Sequence, residues 1–171
     1  MPRLDAAFNC TRLLTACLCT ALAGLLIACG GGGKGTSPDN KPPKNFTIVE
    51  LKPSDGALHS LLKAEVKKAK DTGRKPFVEF YADWCGPCKA LRNSLDDARM
   101  TDAFDGTYII QLNADSWENE LSGTGFSVLS IPVFFEINEE GKPTGRRISG
   151  GAWGENTPAN MAPPLKQFFK G

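Results

Sequence analysis

Two cysteines, Cys85 and Cys88, stand close together in the stretch FYADWCGPCK, residues 80–89. A pair so spaced can bind metal, lock a fold or exchange electrons. A closed zinc site takes four ligands. Beyond this pair the chain offers one histidine, His59, and four cysteines, Cys10, Cys17, Cys19 and Cys29, all within the first thirty residues. His59 reads as a surface or packing residue in the middle of a helix, so no metal site is expected, although two thiolates can hold Cu(I) adventitiously. A purely structural disulfide is the second alternative. Closing so short a loop restricts the unfolded chain less than a long loop would. Electron exchange needs an exposed thiolate, and unpaired amides and the dipole at a helix N-terminus favour that form. Cys85 falls where a strand gives way to a helix, and Cys88 lies one turn inside. Gly86 lets the backbone turn and a partner approach. Pro87 fixes the first helical turn without wasting a donor. The stretch therefore fits a nucleophile at Cys85 and a resolving thiol at Cys88.

The elements that must position this pair lie in residues 46–171, about the usual size of one domain. Residues 46–51 alternate partly and fit an edge strand. Ser54 or Asp55 can cap a helix bearing Leu58, Leu61, Leu62, Val66 and Ala69 on one face, with Gly73 as its stop. Residues 77–81 form a short apolar strand interrupted by Glu79. A helix runs from Cys85 to about Arg99, with Ala90, Leu91, Leu95 and Ala98 toward the core. Strands follow at 107–112 and 132–138, with a brief helix at 117–123 between them. A turn at 139–143 leads to 145–149. The last helix carries Leu165, Phe168 and Phe169, and places Pro163 and Pro164 in its first turn. This order is an α/β layout with a mixed sheet between helices.

The N-terminal part reads as an address. Residues 13–27, LLTACLCTALAGLLI, form an uncharged run of fifteen residues behind Arg3 and Arg12. A membrane span needs about 20 residues, so the run suits the core of a signal peptide. The alternative is an anchor helix that stays attached. Leu26-Ile27-Ala28-Cys29 resembles the bacterial lipobox, whose cysteine is lipidated after cleavage. Residues 1–28 are thus expected to be a lipoprotein signal peptide, and 29–45 the lipidated Cys29 with a flexible tether. The sixteen residues after Cys29, GGGGKGTSPDNKPPKN, would span roughly 22 Å as a random coil. Gly30 behind the lipid site, where an aspartate favours inner-membrane retention, points to the outer membrane. Formal net charge is +1, and nothing in that balance suggests nucleic acid.

Residues 77–89 together with Ile131-Pro132 resemble the thioredoxin family. WCGPCK is highly specific, and YADWC resembles the C-terminal thioredoxin-like domain of the membrane thiol reductase DsbD. The resemblance extends by element order over nearly all of 46–171. It implies a thioredoxin fold, a mixed sheet of four or five strands flanked by helices, with no cofactor beyond the cysteines. Trp84 matches the tryptophan beside the nucleophile. Pro132 matches the cis-proline facing the disulfide, where the backbone of Ile131 would hydrogen-bond an incoming extended peptide. Gly150 matches the glycine lining the substrate groove in the last loop.

Two departures matter. Glu79 replaces a buried aspartate six residues before the first cysteine, and it can still accept the proton of Cys88 if burial raises its pKa. Gln111 replaces the lysine that pairs with that aspartate, which would leave Glu79 more easily protonated. The loop GGAWGENTP at 150–158 has no counterpart in ordinary thioredoxin. Trp153 is expected to pack at the end of the sheet, the alternative being that it extends the partner groove.

The resemblance implies a thiol:disulfide oxidoreductase acting on protein dithiols and disulfides; a monomer is the expected state. Gly-Pro between the cysteines is shared with reducing thioredoxins, at about −270 mV, against about −120 mV for the oxidant DsbA. That gap of about 150 mV, or roughly 7 kcal/mol for two electrons, makes reductase or isomerase the expected direction. Outside the cytoplasm a reductase must be recharged, which implies a DsbD-like membrane electron donor. The alternative function is a lipoprotein binding module that holds a partner in the groove with little turnover.

Overall fold

The computed structural model describes residues 43–171. The expected signal peptide, the lipidation site at Cys29 and nearly all of the tether lie outside the described residues. Five strands form one sheet: β1 (Thr47–Leu51), β2 (Lys75–Tyr81), β3 (Thr107–Asn113), β4 (Val133–Ile137) and β5 (Pro143–Ser149). Their spatial order is β1-β3-β2-β4-β5. β1, β3 and β2 run parallel, while β4 and β5 are antiparallel additions. β2 is central and buried from Phe77 to Tyr81.

Alternation along β2 sends side chains to two cores. Val78 and Phe80 join Leu58, Leu62, Val66 and Ala69 of helix α1 (Leu58–Asp71). Phe77 faces the other way, toward α2 (Gly86–Ser94), α3 (Ala98–Phe104) and α5 (Pro158–Lys170). There Phe77, Phe104, Phe134 and Phe169 meet edge-on, with ring centroids 4.8 to 5.9 Å apart. Such pairs add about 0.5–1.5 kcal/mol each beyond the area they bury.

The helices depart from their sequence-based limits for local reasons. The expected cap at Ser54 or Asp55 is instead a 3-10 turn, Pro53–Asp55, in which the Asp55 carboxylate accepts the Lys52 N–H at 2.8 Å. Gly56, at φ 138°, then redirects the chain, and α1 begins at Leu58 without a side-chain cap. His59 lies exposed on that helix.

The helix expected from Cys85 to Arg99 stops at Ser94. Asp97 accepts the Arg99 N–H at 2.9 Å and starts α3 there, leaving Ala98 exposed rather than in the core. The brief helix expected at 117–123 lies earlier, as α4 (Ala114–Trp117) and a 3-10 turn at Glu118–Glu120. Asn113 caps it by accepting the Asp115 and Ser116 N–H groups.

Pro163 and Pro164 are not in the first turn of α5. The helix starts at Pro158, so the pair sits in its second turn. Burial of Met161, Ala162, Leu165, Phe168 and Phe169 on one face holds the helix through that interruption. One buried polar cluster had no sequence signal. Glu65 of α1 accepts the Tyr108 hydroxyl at 2.6 Å and pairs with Lys68 at 2.6 Å.

Candidate active site

The end of β2 delivers the chain directly to the cysteine pair. Ala82 turns it, accepting the Cys85 N–H at 3.2 Å, and Cys85 becomes the N-cap of α2. The Cys88 N–H donates to Cys85 Sγ at 3.1 Å, and the two sulfurs form a disulfide with Cα atoms 5.3 Å apart. A sulfur that accepts an otherwise unpaired helix amide is placed where a thiolate would be favoured. Pro87 falls within the first turn of α2, where its missing N–H is one the helix would not use.

Gly86 is exposed, and a Cβ built on it would meet nothing within 4 Å. Its φ does not require glycine. The absent side chain leaves open surface beside the sulfurs rather than enabling a turn.

Both cysteines are buried, each only 2% exposed, in contrast to the exposed sulfur expected at Cys85. Tyr81, Ala82 and Ile131 pack around the closed pair and cover it. Beside it, Trp84 stands 69% exposed, while its indole Nε1–H donates to Asp115 Oδ2 at 2.8 Å. Asn113 Nδ2 in turn donates to Asp83 Oδ2 at 3.3 Å. Asp115 was not singled out from sequence, because nothing local links it to Trp84.

The peptide bond between Ile131 and Pro132 is cis. Ile131 packs against the cysteine cluster, so this segment faces the disulfide. Gly150 follows β5 directly, and its N–H donates to the Pro132 carbonyl oxygen at 3.0 Å. A Cβ on Gly150 would lie 3.4 Å from Pro132 Cδ, an ordinary van der Waals contact, so the two segments lie close without the site requiring glycine. Beside Pro132 runs a groove bordered by Leu129, Ser130, Ser149 and Ala152. Among the described residues, Trp84 and Leu129 are the large apolar side chains left exposed.

Glu79 lies beneath, on the β2 face opposite Val78 and Phe80, and is 2% exposed. It sits opposite Gln111 in the parallel β2–β3 register, and Gln111 Nε2 donates to Glu79 Oε2 at 2.8 Å. Burial pushes the Glu79 carboxyl up to about 7, against the opposing pull of the Gln111 hydrogen bond and the Arg92 charge. Arg92 stacks over the Tyr81 ring at 4.8 Å. Burial, then a hydrogen bond to Glu50, push the Tyr81 hydroxyl up to about 12. Among the described residues no group of three or more His, Cys, Asp or Glu side chains could hold a metal ion.

The structure thus gathers Cys85, Cys88, Trp84, Ile131, Pro132 and Gly150 around one disulfide, with Glu79 buried in the strand that leads to it. Cys29 lies outside the described residues. Comparison with known proteins agrees with this geometry. The family model described as Thioredoxin matches residues 59–157, more than half of the chain. A thioredoxin of Mycoplasmoides gallisepticum is 36% identical over 92 residues, 53% of this chain and 85% of that protein.

A protein disulfide-isomerase of Hordeum vulgare is 35% identical over 78 residues, 46% of this chain but 14% of that protein. Bloodstream-specific protein 2 of Trypanosoma brucei brucei is 28% identical over 100 residues, 58% of this chain and 20% of its own length. The chain therefore matches only a fraction of these two longer relatives. A crystal structure of a disulphide isomerase from Xylella fastidiosa Temecula1 aligns over 65% of this chain and 87% of that one, at 20% identity and a TM-score of 0.49. On the family match and the likeness to the mycoplasma protein, the chain belongs to the thioredoxin family of thiol:disulfide oxidoreductases.

Proposed function

We propose that this oxidoreductase works outside the cytoplasm, tethered to a bacterial membrane by lipid at Cys29, as a reductase or isomerase of protein disulfides. The observation that carries the chemistry is the Cys85–Cys88 disulfide at the start of α2, with the Cys88 amide donating to Cys85 Sγ. In the reduced protein the Cys85 thiolate attacks one sulfur of a substrate disulfide. A mixed disulfide forms and one substrate thiolate leaves. Cys88 then loses its proton to the Glu79 carboxylate, directly or through water, and attacks Cys85 Sγ. The second substrate sulfur departs as a thiolate, free to take up the proton from Glu79 or from water, and the Cys85–Cys88 bond closes. Two electrons have passed from the protein to the substrate.

Returning to the dithiol takes two electrons from a donor dithiol, and a DsbD-like membrane protein is the proposed source. The apolar run at 13–27 and the lipobox-like LIAC at 26–29 support the extracytoplasmic location. Gly30 behind the lipid site favours the outer membrane. The exposed Trp84 next to Cys85, and the exposed Leu129 shortly before Pro132, suit a protein substrate better than a small thiol.

A Cys88→Ser variant of the full chain tests the mechanism. It is expected to accumulate mixed disulfides with proteins, released by dithiothreitol, and to lose turnover. A variant that retains turnover, or traps nothing, overturns the assignment. The anchor has its own test. Labelled fatty acid should enter the wild type and not Cys29→Ala, and labelling of neither rejects the lipid tether while leaving the sulfur chemistry standing.

A further inference from the structure

Trp153 is a large residue in the loop after β5 that the sulfur chemistry does not use. Its position links the core to the groove. The indole is 7% exposed and belongs to the same buried cluster as Leu91 of α2, Phe134 of β4 and Met161 of α5. Its ring reaches Gly150, since a Cβ on Gly150 would lie 3.7 Å from Trp153 Cζ2 and 3.4 Å from Pro132 Cδ. The indole and the proline ring thus both lie against the side of Gly150 where a side chain would project. On the same edge of the ring, Nε1–H donates to Asn156 Oδ1 at 3.1 Å and closes the 150–157 loop on itself. The 3-10 turn Gly150–Ala152 is contiguous with Trp153 and supplies Ala152 to the groove wall beside Pro132.

We propose that Trp153 is a positioning residue for substrate docking. Its buried indole sets the height of Gly150, and through the Gly150–Pro132 hydrogen bond the position of the segment that receives an extended peptide. This deepens the reading of the site as a protein-disulfide oxidoreductase and rests on it. Trp153 belongs to the core cluster of Leu91, Phe134 and Met161 and is not among the residues that pack around the two sulfurs. Removing it should weaken the fit of a peptide and leave the sulfur chemistry unchanged. Displacing a docking wall by an ångström is enough to alter productive binding substantially.

The test uses the full chain with insulin as the protein disulfide and dithiothreitol as electron source, and, in single-turnover runs of the prereduced protein freed of dithiothreitol, dithionitrobenzoate as a small disulfide that needs no groove. Trp153→Ala is expected to raise KM for insulin about tenfold while kcat and the rate with dithionitrobenzoate stay within about twofold. Equilibration of the Cys85–Cys88 pair with glutathione should not move. Trp153→Phe, which keeps the ring, should recover most of the affinity. Asn156→Ala, which frees the indole without emptying the core, should raise KM about threefold.

An unchanged KM in Trp153→Ala overturns the proposal, as does an equal loss on both disulfides. If Trp153→Ala does not fold, an unchanged KM in Asn156→Ala overturns it. A wild type inactive on both disulfides would instead sink the oxidoreductase reading itself, so the two failures are distinguishable.

Discussion

Gln111 Nε2 donates a 2.8 Å hydrogen bond to Glu79 Oε2 inside the sheet, between adjacent parallel strands. An uncharged donor stabilises a buried carboxylate less than a cation would, and desolvation prevails, so the Glu79 carboxyl is pushed up to about 7. The group can hold or release a proton near neutrality, as a base serving a buried thiol must. Glu79→Gln is therefore expected to slow closure of the mixed disulfide at least tenfold and to remove the rise in rate across pH 7. Rapid-quench kinetics with Cys85 preloaded as a mixed disulfide measure this. An unaltered pH profile would remove Glu79 from the proton path.

The same carboxyl makes stability depend on pH. Below the ordinary glutamate range it is protonated in both folded and unfolded chains and contributes no difference. As pH rises from about 4.5 to about 7 the unfolded chain loses the proton while the folded one keeps it. Stability from this group should fall over that window by about 3 kcal/mol and level off above it. Urea unfolding of the wild type and Glu79→Gln at pH 5 and pH 8 separates this group from the others. The variant should lose less stability between the two, and an equal loss in both proteins counts against the buried carboxyl.

Trp84 is largely exposed yet tied by Nε1 to Asp115, whereas Trp117 and Trp153 are buried. Iodide should therefore quench mainly Trp84, and Trp84→Phe should abolish most quenching. Asp115→Ala should increase that quenching and change stability by less than about 1 kcal/mol, since both groups are hydrated when unpaired. A larger destabilisation would mean that the pair holds α4 in place rather than merely orienting the indole.

Pro163 is exposed in the second turn of α5, where proline removes a backbone hydrogen bond. Pro163→Ala restores a donor and relieves the ring's crowding, but gives back some freedom to the unfolded chain. The net expectation is a gain of about 1–2 kcal/mol, read as a higher urea midpoint at unchanged slope. Destabilisation would indicate that the helix is bent at this point to seat Phe168 and Phe169 correctly.

The readable part of this protein was local. Apolar spacing placed Leu58, Leu61, Leu62, Val66 and Ala69 on one helical face, and the structure buries all but Leu61, which is half-buried. The strand-to-helix change at Cys85 followed from Gly86, Pro87 and the apolar run before them. Helix ends were less legible, because Asp97 and Asn113 act as caps only once the chain has turned to present their carboxylate and amide oxygens to the next helix. Pro163 and Pro164 showed the reverse error. Propensity confined them to a first turn, while burial of the aromatic face carried the helix past them.

The amino-acid order by itself determined which sulfurs pair, which strand delivers them and most of the apolar face of the first helix, since each depends on neighbours within a few residues. The resemblance already set Gln111 against Glu79, 32 residues away; tertiary structure decided that Trp84 meets Asp115, 31 residues away, and that Gly150 donates to Pro132 with Trp153 alongside. It also decided that the closed cysteine pair is covered. These contacts arise from strand register and the packing of separate segments. No local pattern specifies them, because the free energy that selects each one comes from burying both partners together.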